Sequence, residues 1–149
     1  MLQAAVAFTN QGMGTASVVL PTSGTYAIAI DPYLGRSGAL TVTLSQDLAS
    51  TITVNGGPVL LTFRAGQNAL PSFAGTVNQA ITVRITGNNL GNVTVKLLKP
   101  DGTQLTSASS SASSFNLSTQ TLPVSGTYTI SIDPSGPIAG GLSVAVDGI

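Results

Sequence analysis

The chain has 149 residues, no cysteine and no histidine, and charged residues make up only 7% of it, with a formal net charge of zero. This composition excludes disulfides, Cys or His metal sites, Ser-His-Asp and Cys-His catalysis, and a basic face that could neutralise nucleic-acid phosphates. A mean hydropathy of +0.39 with so few charges is unusual for a freely soluble monomer, and it predicts contacts with further copies of the chain.

The first predicted element is a strand at the start of the chain. Leu2, Ala4, Val6 and Phe8 alternate with small or polar residues, which is typical of a strand with one buried face. The segment lacks the basic start and the continuous apolar stretch of a signal peptide, and no apolar run is long enough to cross a membrane. We predict that these four residues contact a neighbouring subunit by strand addition.

A long internal repeat follows. Residues 20–44 return at residues 122–146 with 13 of 25 positions identical, and residues 1–46 correspond to residues 103–148. A repeat of fixed period is typical of arrays and modular fibres. We therefore predict a partial β-sandwich repeat over residues 1–47, which is the second half of a unit, and a complete repeat over residues 48–149. The missing half is provided either by a neighbouring subunit or by a segment of a longer tandem array.

Alternation of apolar and polar residues runs through both copies and predicts an all-β chain. Turn residues recur every 8 to 12 positions, which is typical of a β-sandwich or barrel. Pro71 indicates an edge strand or bulge, and the Ser- and Ala-rich residues 106–114 predict a loose surface loop. The side chains predicted to be buried are, in the complete copy, Tyr128, Ile130, Ile132, Leu142, Val144 and Val146, and in the partial copy, Tyr26, Ile28, Ile30, Leu40, Val42 and Leu44.

The two copies differ most in one loop. Tyr33, Leu34 and Arg36 stand in the first copy where the second has Ser, Gly and Ile. These residue types are enriched at interface hot spots, so we predict that they contact another subunit. The alternative is an ordinary loop whose apolar members fold onto their own domain.

Other candidate sites have simpler structural explanations. Asp31 and Asp133 precede a proline in both copies, and an Asp that hydrogen-bonds the turn backbone is favoured over a metal ligand. Catalysis by a Ser-Lys pair would use Lys96 or Lys99, although both follow an outward or turn pattern. The sequons at Asn92 and Asn116, together with the Ser/Thr-rich surface, leave glycosylation open.

Several segments share motifs with one known family, and they are Ala74-Gly75-Thr76, Ile81 to Ile85, Val95 to Gly102, Leu122 to Tyr128, Gly66 to Ala69 and Ile132-Asp133-Pro134. They resemble bacterial pre-peptidase C-terminal domains, in a variant found in tandem in large secreted and surface proteins. The resemblance covers residues 57–147 well and residues 15–45 through the partial copy. It implies a jelly-roll-like β-sandwich, export from a bacterial cell, and an accessory or structural role. Some relatives bind Ca²⁺ through clustered acids, which this sequence lacks.

These observations favour a structural protein over an enzyme, with no cofactor and no metal. We expect a repeat-built subunit that associates with itself, head to tail, in an extracellular bacterial filament or surface stalk. One alternative is an adhesive or carbohydrate-binding module of a larger secreted protein, although the chain has no Trp for stacking on sugars. Another is a passive spacer within a very long polypeptide.

Overall fold

The computed structural model describes residues 20–30, 37–42 and 44–149. The chain divides into two units, Met1–Leu44 and Ser45–Ile149. All regular structure in the described residues is β-strand, arranged in the second unit as two antiparallel sheets that form a sandwich. The predicted all-β fold class is confirmed. No helix in the described part of the chain has the length and apolar character needed to cross a membrane.

One sheet, here called sheet I, contains five of the nine strands. Its order is β1-β9-β3-β6, and β7 also pairs with β3. Each pairing in sheet I is antiparallel, and β9 lies between β1 and β3 along most of its length. The bounds of the strands are β1 Val59–Phe63, β3 Ala80–Thr86, β6 Ser114–Asn116, β7 Gln120–Thr121 and β9 Gly140–Gly148.

The other sheet, sheet II, has the order β2-β8-β4-β5 and is also antiparallel. Pro71 directly precedes β2, the outermost named strand of sheet II, and its carbonyl accepts a hydrogen bond from the amide of Ile130 at 2.8 Å. Residues 48–52 cover the outer side of β2 through the parallel bridges Leu48↔Ala69 and Thr51↔Ser72, so β2 is outermost, as this proline predicts, without being an open edge. The bounds are β2 Ser72–Gly75, β4 Val93–Leu98, β5 Gln104–Ser110 and β8 Gly126–Pro134.

The apolar positions of the alternating pattern meet between the two sheets. The six side chains predicted to be buried in the complete copy are each 0% exposed, so the phase of the alternation is confirmed. Strand β3 contributes Ile81, Val83 and Ile85 to the same core, while the residues between them are only partly buried. Apolar burial of this kind is the main force that stabilises such a fold.

The prediction of a loose loop over residues 106–114 is wrong. Residues 104–110 form β5, which pairs with β4 from Val93↔Ser110 to Leu98↔Gln104, and β6 begins at Ser114. The Ser-rich composition misled because the backbone ladder to β4 does not depend on side-chain type. Leu105 and Ala108 also pack against the core, and the Thr94 and Ser109 hydroxyls lie 2.9 Å apart across the strands.

The burial predicted for the partial copy is also wrong for this chain. Its six apolar residues are exposed, from 45% for Tyr26 to 87% for Leu44, and the described residues of this copy contain no strand. Their counterparts in the second copy are completely buried. The alternation was identified correctly, but it describes a strand only where neighbouring strands are present to pair with it.

Candidate functional site

The seven residues predicted to form subunit contacts lie outside the described residues. The first four belong to the predicted opening strand, and the last three to the sequence segment that differs between the copies. Their contact role therefore stays a prediction. The seven are Leu2, Ala4, Val6, Phe8, Tyr33, Leu34 and Arg36.

Two ion pairs lie on the surface of the second unit, Arg84 with Asp147 and Lys99 with Asp101. Arg84 Nε donates to Asp147 Oδ2 at 2.8 Å and Arg84 Nη2 to Oδ1 at 3.1 Å, which makes a two-pronged ion pair on the outer face of sheet I. Hydrogen bonds from Arg84 hold the pKa of the Asp147 carboxyl below its ordinary value, and the same contact raises the pKa of Arg84. Within the described residues, no group of three acids, His or Cys could hold a metal ion.

The acids near turns have different roles from each other. Asp101 accepts hydrogen bonds from the Thr103 amide at 2.9 Å and the Thr103 hydroxyl at 2.7 Å, and these bonds lower the pKa of its carboxyl. Asp133 instead lies in β8 opposite Thr94 and is exposed. The turn after it is held by backbone bonds, with the Gly136 amide donating to the Pro134 carbonyl at 2.9 Å. Asp101, and not Asp133, is therefore the Asp that shapes a turn through its side chain.

The serines nearest to Lys96 lie on the flat outer face of sheet II. Ser107 and Ser131 are the cross-strand neighbours of Lys96 on β5 and β8, respectively. The Lys96 side chain is exposed, whereas a lysine that acts as a general base is usually desolvated in a pocket. This geometry fits a polar sheet surface better than a catalytic pair.

The loop between β3 and β4 owes its shape to asparagine side chains. The buried Asn88 donates to the carbonyls of Gly91 and Ala112 at 3.0 and 3.1 Å, and its oxygen accepts from the Leu90 amide at 3.1 Å. Asn92 Nδ2 donates to the Ser135 hydroxyl at 3.0 Å, on the loop after β8. These amides satisfy the backbone groups of irregular loops, which is a structural role for a Gly/Asn-rich segment that could be mistaken for a binding motif.

The aromatic residue that repeats between the copies belongs to the core. Tyr128 is 0% exposed, its ring stacks on Phe73 with centroids 5.5 Å apart, and its hydroxyl donates to the Val124 carbonyl at 2.7 Å. A ring in this position cannot stack on a sugar. The core role preferred for Tyr128 from the sequence is confirmed.

The first copy has the same hydrogen bond from a tyrosine hydroxyl to a carbonyl four residues earlier, here called the tyrosine corner. The Tyr26 hydroxyl donates to the Thr22 carbonyl, four residues earlier, as Tyr128 does to Val124. Tyr26 is nevertheless 45% exposed, because no core surrounds it. The corner is therefore encoded locally, whereas burial requires other strands.

One exposed apolar residue was missed by the sequence interpretation. Leu60 is 71% exposed on β1, at the edge of sheet I, and its neighbours Val59 and Leu61 belong to the core or pack against it. The signal was present, since Leu60 occupies a position where the alternation requires a polar residue. An apolar side chain on an edge strand is a feature of surfaces that receive another strand.

Comparison with known proteins shows likeness in fold. No family model matches the chain, and no curated protein matches it. The pre-peptidase C-terminal domain of a collagenase from Bacillus anthracis has a TM-score of 0.56 at 10% identity, over 70% of this chain and 99% of that one. PliG of Aeromonas hydrophila, a periplasmic inhibitor of g-type lysozyme, has a TM-score of 0.53 at 18% identity, over 70% of this chain and 100% of that one.

These comparisons bear on the resemblance drawn from the sequence. Each of the two structures matches 70% of this chain, which is the fraction of the chain that lies in the second unit, Ser45–Ile149. The pre-peptidase C-terminal-like fold expected from the sequence motifs is confirmed by the solved domain of that type. The two similar structures thus show that the second unit has a β-sandwich fold like that of a pre-peptidase C-terminal domain.

Proposed function

We propose that this chain is a non-catalytic structural subunit of an extracellular bacterial filament or surface stalk, built from β-sandwich repeats arranged head to tail. The observation that carries the proposal is the second occurrence of the β8–β9 sequence in residues 20–44, with the same apolar positions exposed instead of buried. A subunit that carries core residues without a core has surfaces suited to a neighbouring repeat.

The rest of the second unit is consistent with a structural role. Arg84 and Asp147 form an ion pair, Asp101 shapes a turn, asparagines hold loops, and the outer sheet faces present mostly Ser and Thr. An extracellular location is supported by the similar fold of a periplasmic protein and of a collagenase domain.

The two longest outer strands, β5 and β1, are the candidates for contacts between subunits. β5 closes one side of sheet II with Ser-rich residues, and β1 closes one side of sheet I with the exposed Leu60. We assign the β1 edge as the acceptor for the opening strand of a neighbouring subunit, with Leu2 and Phe8 among its apolar residues. One donor strand and one acceptor edge in each subunit give a contact that does not close on itself and therefore propagates.

Negative-stain microscopy and light scattering of the full chain test the proposal. We expect elongated assemblies, and we expect Leu60→Lys to shorten or abolish them because it places a charge on the acceptor edge. Ser109→Lys, an exposed position on the β5 edge opposite the uncharged Thr94, is the matched control and should leave assembly unchanged. A monodisperse monomer at high protein concentration would count decisively against self-assembly.

A further inference from the structure

The nine strands of the second unit pair only between an earlier and a later part of the sequence. We call residues 57–102, which contain β1 to β4, the first half, and residues 103–149, which contain β5 to β9, the second half. Every strand pairing joins one half to the other: β1 and β3 pair with β9, β2 and β4 with β8, β4 with β5, and β3 with β6 and β7. The strands of the second half therefore form no sheet among themselves.

The partial copy contains the sequence of a second half. At the offset of 102, residues 24–32 correspond to β8 and residues 38–46 to β9. In the complete unit these two central strands are each paired on both sides, by β2 and β4 and by β1 and β3, respectively. The described residues of the partial copy lack those four partners, which explains why they contain no strand although their sequence is so similar.

The apolar surface of this region is large for its length. Seven of the thirteen large hydrophobic residues that are exposed in the described chain fall between residues 20 and 44. Ile28 and Leu40 are 61% and 63% exposed, whereas Ile130 and Leu142 at the equivalent positions are 0% exposed. The side chains that β1 to β4 cover in the complete unit are thus present and uncovered.

A second copy of this chain cannot complete the region without leaving another half unpaired. Residues 1–149 contain one first half and two second halves, and each added copy brings the same ratio. Residues 103–149 already pair with the first half of their own chain. The two halves are joined by the tight β4–β5 turn, where the Lys99 amide donates to the Thr103 carbonyl at 2.8 Å. The unpaired region therefore requires a partner that carries a first half in excess.

We propose that residues 20–30 and 37–42 bind a four-stranded first half of another repeat unit, similar in sequence to residues 57–102, which covers them as β1 to β4 cover β8 and β9. The partner is a segment of a neighbouring repeat and not an intact copy of this chain. This inference rests on the proposed repeat architecture, although it does not depend on the strand contact at Leu60.

The test adds a first half to the full chain. A copy of residues 47–102 is joined directly to Met1, because Met1 is equivalent to Thr103 and the junction restores the spacing of the complete unit. We expect the amides of residues 24–30 and 38–42 to become protected from hydrogen exchange, and the total calorimetric enthalpy of unfolding to rise about twofold as a second unit unfolds. Ile28→Ala, which is silent in the 149-residue chain, should then lower Tm as Ile130→Ala does.

The control is the same extended chain with Asp in place of the added copies of Val83 and Val95. In the original chain these two side chains are 1% and 0% exposed. Protection of residues 24–30 in the unmodified extension alone supports the proposal. Protection in neither extension, in both extensions, or already in the 149-residue chain overturns it. Particle length is scored separately: an extended chain that folds two units and stays monomeric supports this inference and rejects the filament.

Discussion

Replacing the equivalent isoleucine should lower stability strongly in the second copy and hardly at all in the first. Ile130 is 0% exposed in the central strand β8, whereas Ile28, its equivalent, is 61% exposed. Truncation of Ile130 to Ala removes three buried carbon groups, which at about 0.8 kcal/mol each gives roughly 2.4 kcal/mol before any cavity cost. With the cavity that remains, we expect a loss of about 2–5 kcal/mol for Ile130→Ala.

Ile28→Ala is the matched substitution, and it should change the free energy of unfolding by less than about 0.5 kcal/mol, as at other exposed sites. Urea unfolding followed by circular dichroism measures both variants. A loss of roughly 2.4 kcal/mol corresponds to a fall in Tm of about 10–20 °C for a domain of this size. Equal losses for the two variants, or a loss below half a kcal/mol for Ile130→Ala, would refute the assignment of one buried and one uncovered copy.

Three further predictions concern the second unit. Gly75→Ala should cost about 1–3 kcal/mol in urea unfolding, because a Cβ there collides with core side chains; Gly57→Ala, which meets nothing within 4 Å, should be silent. Asn88→Ala should cost about 1–3 kcal/mol by leaving buried backbone groups unpaired, and an unchanged calorimetric Tm would contradict this. Arg84 lowers the folded-state pKa of Asp147, so the stability that this carboxylate contributes is present near neutral pH and is lost as pH falls through that pKa. The difference in Tm between the original chain and Asp147→Asn should therefore shrink below about pH 4. A Tm difference that does not change with pH would contradict this prediction.

The sequence predicts the fold well where the physical cause is local. Period-two alternation placed Ile130 and Val144 on the correct faces of their strands, because successive side chains of a strand point to opposite sides. Turn residues marked real turns: Asn55 and Gly66 adopt positive φ angles of 60° and 73°. The sequence does not predict β5 because this Ser/Ala-rich segment lacks apolar alternation, whereas its ladder to β4 is made by backbone groups that do not depend on side-chain type.

The candidate contact surface was harder to predict. Composition and repeat comparison indicated an unpaired copy, and the exposure of Tyr26 and Ile28 agrees with that. The pairing of each second-half strand with the first half could not be derived from the sequence, since alternation shows which face is buried and not which strand lies beside it. Alternation over Val59 to Phe63 predicts a strand but does not show that it lies at the edge of a sheet, so it does not single out Leu60.

The pairing pattern also determines how strongly neighbouring repeats can be joined. A junction between two complete units connects them only through the chain and whatever surfaces happen to touch. A junction in the middle of a unit instead places β8 and β9 in one partner and β1 to β4 in the other, so the whole core of a sandwich becomes the interface. Such an interface has the apolar character and backbone pairing of a domain interior, which is the kind found in permanent assemblies. A half-repeat is therefore a stronger connector for an extended extracellular structure than a complete repeat would be.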